Sequence, residues 1–129
     1  MVRDVASSHR ANERGRRAEL AVADYLVAQG FALIARNLRL GALELDVVAQ
    51  RGGLVAVVEV RTRGGGSLEG PFESISPAKR ARLLRAVDRL WRERLSGMSN
   101  VERVRIDAAA VTFAGGQTSV EYVAGAVSG

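Results

Sequence analysis

Apolar residues recur at helical spacing from about Asn12 to Gln29, where Ala18, Val22, Tyr25 and Leu26 share one face and Gly30 follows at a favoured C-terminal position. This pattern predicts a first helix. The residues before it are small and polar without an apolar period, so 1–11 are expected to form an unstructured tail ahead of a single domain over 12–129. Phe31 to Arg39, Leu43 to Gln50 and Leu54 to Arg63 are rich in strand formers, the last two flanking Arg51-Gly52-Gly53, and predict three antiparallel strands in a meander. Gly64 to Pro71 carries too much glycine for an element interior and reads as a mobile loop that can close over a substrate. Ser76 is a good N-cap and Pro77 suits a first helical turn, after which Leu84, Val87, Leu90, Trp91 and Leu95 keep a helical period up to Gly97. Val104 to Phe113 and Ser119 to Val123 then read as strands joined through Gly115-Gly116, so the order is α, β, β, β, α, β, β.

A tight Gly52-Gly53 turn would set the register of the hairpin it closes. Counting outwards from it places Asp46 directly opposite Glu59, and Glu44 opposite Arg61. Leu45, Val47, Ala49, Ala56, Val58 and Val60 then share an apolar face, expected to be the core side, while Glu44, Asp46, Glu59 and Arg61 lie on the other. Opposed like charges destabilise a strand pair unless a cation or a shared proton compensates. The alternative for these residues is the solvated face of an amphipathic sheet, with each acid neutralised by an arginine.

Composition narrows the chemistry. The chain has 129 residues, no cysteine and a single histidine, His9, so thiolate nucleophiles and histidine- or thiolate-rich zinc sites are excluded. Any metal must be held by oxygen ligands, which suit magnesium, manganese or calcium. No apolar run is long enough for a membrane-spanning helix and the N-terminal stretch lacks the apolar core of a secretory signal, so a cytoplasmic protein without a membrane partner is expected. The formal charge of +5 favours an anionic partner, which charge alone does not identify.

Glu44-Leu45-Asp46 followed by Val58-Glu59-Val60-Arg61-Thr62-Arg63 resembles the PD-(D/E)xK nuclease signature, with Asp46 as the first acid and Glu59-Val60-Arg61 as the acid-x-lysine triplet. Together with Gly15-Arg16-Arg17-Ala18-Glu19, Arg36-Asn37-Leu38-Arg39 and Lys79-Arg80, the chain resembles the YraN family of predicted endonucleases, akin to restriction endonucleases and Holliday-junction resolvases. The resemblance implies a three-layer fold with a mixed five-stranded sheet. It also implies a metal-dependent endonuclease acting on DNA, branched or structured DNA included, in preference to RNA. Its divalent metal would be magnesium, or manganese, held by Asp46, Glu59 and the Val60 carbonyl, with Asp46, Glu59, Arg61 and Glu19 as catalytic residues and a homodimer as a further implication. Glu19 matches a first-helix glutamate that completes the metal shell in this family; a structural salt bridge is the alternative for it. Two departures stand out: Arg61 occupies the usual lysine position and Leu43 a usual glycine. Arginine does not give up its proton, so Arg61 can orient water or stabilise charge but cannot be a general base.

On the second helix Arg82, Arg85, Arg89 and Arg92 form one stripe at spacings of three and four, beside the apolar stripe of Leu84, Val87 and Trp91. Arg39, Arg63, Lys79, Arg82, Arg85 and Arg89 are the expected nucleic-acid contacts; an ordinary solvated helix face is the alternative. With 5% aromatic residues and Trp91 in the core phase, backbone and shape recognition is expected rather than base reading. The rival functions are a nucleic-acid-binding module without turnover and a basic adaptor for an acidic protein.

Overall fold

The computed structural model describes residues 2–63 and 75–127, with side chains from residue 13 onward; the Gly64–Pro71 segment expected to be a loop falls outside them. The elements follow the predicted order: α1 (Val2–Ala28), β1 (Ala32–Leu40), β2 (Leu43–Arg51), β3 (Leu54–Arg63), α2 (Pro77–Leu90), β4 (Arg103–Ala114) and β5 (Gln117–Val127). α1 is longer than its apolar period predicts and starts at Val2, within the stretch read as a tail. Its early residues hold several good helix formers and no glycine or proline before Gly15, so nothing breaks the backbone there.

The sheet has the strand order β1-β2-β3-β4-β5, antiparallel throughout except for the parallel β3–β4 pair. A parallel pair needs a long connection between its strands, and α2 lies within that connection. Gly52, at φ +58°, turns β2 into β3, and the hairpin register predicted from it holds from Arg51↔Leu54 to Val47↔Val58.

Both faces of the central strands are buried, which bears out the three-layer expectation and corrects the reading of the hairpin as having one core side. Ala18, Val22 and Leu26 of α1 pack on Val47, Ala49, Ala56, Val58, Ala109 and Val111. Leu83, Ala86 and Leu90 of α2, with Leu95, pack on Leu45, Val48, Val55 and Val57 on the opposite face. The result is a three-layer α/β/α arrangement, in which central strands read as nearly continuous apolar runs rather than as alternation. Leu45 lies in the α2 core and not with Val47 as expected. Leu84 and Val87 are half-buried, and Trp91, expected in the core, is 37% exposed. It begins a π-helical turn, Trp91–Leu95, whose wider winding returns Leu95 to the core.

One polar cluster holds the far edge of the sheet. Asp107 is fully buried, accepts two hydrogen bonds from Arg105 and one from Gly125 N, and receives the Tyr122 hydroxyl. It sits where the β4–β5 register shifts between Ile106 and Ala108, so its carboxylate satisfies backbone that the ladder leaves open. Burial, then the Asp107 hydrogen bond, push the Tyr122 hydroxyl upward in pKa. Tyr122 also stacks on Tyr25 with centroids 5.1 Å apart, tying β5 to α1. Asp107→Ala is expected to lower unfolding free energy by roughly 3 kcal/mol, because it strands buried donors. Urea denaturation checks this, and a loss below about 1 kcal/mol would contradict it.

Candidate functional site

The site begins where β2 leaves its regular alternation. Leu45 faces α2 and Val47 faces α1, two neighbours that a regular strand would put on one face, so the pleat is interrupted at Asp46. On β1, Asn37 lies between Leu38↔Leu45 and Arg36↔Val47 and takes the left-handed φ of +52°, which asparagine tolerates better than most residues. The β2–β3 pairing ends at Val47↔Val58, so Asp46 and Glu59 are not the paired partners that turn counting predicts. In place of ladder pairing, Val60 N donates to Asp46 Oδ2 at 2.9 Å. Glu44 does not oppose Arg61 either; it pairs across β1–β2 with Arg39, at 3.5 Å.

Glu59 is only 7% exposed, and Lys79 Nζ stands 2.6 Å from its Oε1. Ser76 fixes the start of α2 by accepting from Lys79 N at 3.1 Å, with Pro77 in the first turn, so capping sets where Lys79 leaves the helix. Burial, then the Glu59 charge, raise the Asp46 carboxyl from its ordinary 3.8 to about 7; the Val60 hydrogen bond opposes this, Glu19 adds to it and Lys79 opposes it. Asp46 therefore feels both helical layers. Glu19 on α1 is held by Asn37, whose Nδ2 donates to Glu19 Oε1 at 2.9 Å.

An open pocket of about 320 Å³ joins these groups. Its walls include Leu43, Glu44, Asp46 and Glu59 from the sheet, and Lys79 and Arg82 from α2. Leu43, at the departure from glycine, thus contributes an apolar wall. Arg61 is half-buried on β3 with its Nε screened from solvent. Of the other expected contacts, Arg82 reaches the pocket and Arg85 is exposed. Arg89 instead serves the fold: its Nη1 donates to Leu40 O at 3.1 Å and its Nε pairs with Glu93. The guanidinium fills the space a side chain at Gly41 would take, and Gly41 itself has φ +67°. Arg63 lies 3.9 Å from Glu121, Arg39 serves Glu44, and Arg92 pairs with Asp88. The arginine stripe is thus divided between structure and open surface.

Two participants were not singled out for these roles. Asn37, which positions Glu19, belongs to a quoted motif but carries no chemistry that sequence alone flags. Lys79 was expected on phosphate, and its being the only lysine among nineteen basic residues is the signal that could have marked it.

Among the described residues no three histidine, cysteine, aspartate or glutamate side chains gather closely enough to hold a metal ion. Asp46 and Glu59 remain as an oxygen pair whose mutual repulsion a cation would relieve. That donor set fits magnesium, which uses one or two carboxylates and fills its shell with water and substrate oxygens. Glu19 is not gathered with them into such a group.

Among known proteins, the family model described as "Uncharacterised protein family UPF0102" matches residues 18–111. A UPF0102 protein of Sorangium cellulosum is 52% identical over 110 residues, covering 84% of this chain and 76% of that protein. Another, of Clavibacter michiganensis, is 37% identical over 118 residues, covering 88% and 95% respectively. A third, of Anaeromyxobacter dehalogenans, is 35% identical over 115 residues, covering 89% and 84%. Among the described residues no helix is long and apolar enough to cross a membrane.

The raised Asp46 carboxyl predicts how metal-free stability depends on pH. A carboxyl that titrates higher when folded holds its proton in the native state, so its contribution is complete below pH 4 and is lost as pH rises through about 7. Asp46→Asn keeps an acceptor for Val60 N and removes the charge. In chelator, the variant is expected to gain on wild type between pH 4 and 8, by up to about 4 kcal/mol. Urea denaturation at several pH values measures this; a gap that stays constant with pH contradicts it.

Proposed function

This chain belongs to the UPF0102 family, and from that premise and the site's geometry we propose that it is a divalent-metal-dependent endonuclease acting on DNA. The observation that carries the reading is the Asp46–Glu59 pair, two carboxylates brought together in a largely apolar sheet where their repulsion disfavours a second charge. Perturbed carboxylate pairs of this kind cluster at functional sites, where the repulsion serves the chemistry. Asp46 and Glu59 would hold magnesium or manganese, with the Val60 carbonyl as a third oxygen. When bound, the metal supplies charge that activates water and neutralises the phosphodiester.

The chain's own residues do the rest. Val60 N fixes one oxygen of Asp46 and leaves the other for a cation. Arg61 can orient water or phosphate, but it cannot serve as a base. Arg82 at the pocket wall and Arg85 further along α2 meet backbone phosphates without reading bases. Branched or structured DNA and a homodimer extend this reading, which supposes a protein in the cytoplasm. A binding module with little turnover is the second reading, favoured by Arg61 at the usual lysine position.

Cleavage of duplex, single-stranded, flapped and four-way-junction DNA and of RNA, with magnesium or manganese, tests both readings. Wild type is expected to cut DNA, and Asp46→Ala or Glu59→Ala to lower the rate by more than about 100-fold. Binding without cutting on every substrate favours the module, and absence of divalent-metal binding by wild type sinks the nuclease reading. Arg82→Ala and Arg85→Ala are each expected to weaken DNA binding evenly across sequences and to reduce the salt slope by about 1. Titration at several salt concentrations reads this out, and an unchanged slope counts against the phosphate contacts.

A further inference from the structure

Lys79 stands in a position that helix stability does not explain. The N-terminal turn of α2 has no acidic residue, and a cation there faces the positive end of the helix dipole. The compensation comes from outside the helix, from the buried carboxylate of Glu59 at 2.6 Å. Lys79 also bears electrostatically on Asp46 and lines the same pocket. It is the chain's only lysine, while the strand position two residues after Glu59 is Arg61.

We propose that Lys79 is the working lysine of this site: its ammonium neutralises Glu59 in the metal-free protein, competes with the divalent cation for that carboxylate, and turns to the substrate phosphate once the cation is bound. The inference rests on the metal-dependent reading above. An ammonium is a compact charge on a flexible stem, able to exchange one anionic partner for another, whereas a guanidinium is committed to a planar fork. A divalent cation on Glu59 would also repel an ammonium only a few ångströms away. The same contact therefore weakens metal binding and keeps a cation ready for phosphate.

Calorimetric titration of manganese into wild type, Lys79→Met and Lys79→Arg, alongside DNA cleavage at saturating manganese, tests the proposal. Lys79→Met is expected to bind manganese about tenfold more tightly and to cut DNA more than about tenfold more slowly. Lys79→Arg keeps the charge and is expected to stay within about threefold of wild type in metal affinity. A merely structural lysine would not move the two readouts in opposite directions. Unchanged or weaker manganese binding by Lys79→Met, or unchanged cleavage, overturns the proposal while leaving the metal-dependent reading standing. Silence of wild type removes that reading and this inference together, whatever Lys79→Met binds. Should Lys79→Met fold poorly by circular dichroism, Lys79→Gln, neutral but still a donor to Glu59, answers the same question.

Discussion

Because β3 is covered by α1 on one face and by α2 on the other, its side chains from Leu54 to Val58 are all buried and all apolar. Polar chemistry on this strand is confined to the end where the helices no longer close over it. Glu59 is the first charged residue past that limit and remains buried, so it needs a partner. The interruption of β2 at Asp46 follows from the same constraint: leaving the ladder gives its carboxylate a backbone donor and a place at the rim of both layers. Leu45, moved to the α2 side by that interruption, helps to fill the second core.

The electrostatics of the rim are set by groups from every layer. The sheet contributes Asp46 and Glu59, α1 contributes Glu19, and α2 contributes Lys79. One acid carries an ion pair and the other a raised pKa, so one site contains two differently compensated carboxylates. That asymmetry is what general principles expect of a functional acid pair, and it arises here from burial and neighbouring charge alone.

The basic surface is likewise divided. Arg89 latches the β1–β2 turn, Arg105 supports Asp107, and Arg92 pairs with Asp88 one turn earlier. Arg82 and Arg85 are left facing outward on the helix that carries Lys79. The count of nineteen basic residues thus overstates the surface available to an anion, because several of them pair with acids of the fold.

Element order and the Gly52 turn with its nearby register were legible in the sequence, because turn chemistry and apolar period act over a few residues; Asp46 and Glu59 were legible as candidates, but not their place off the ladder. The family pattern was legible for the same reason, being a matter of local residue order. Burial of both sheet faces followed from the family resemblance but not from the alternation, and the place of Leu45 and the exposure of Trp91 were not legible, since alternation cannot reveal a helix packed from a distant part of the chain. Nor could it show the end of the β2–β3 ladder at Val47, or the left-handed Asn37 beside it on β1. The sequence by itself marked Asp46 and Glu59 as the candidate acids. Only the tertiary structure decided which cation faces them, because Lys79 reaches Glu59 across twenty residues of chain and their contact depends on how α2 is capped and packed against the sheet.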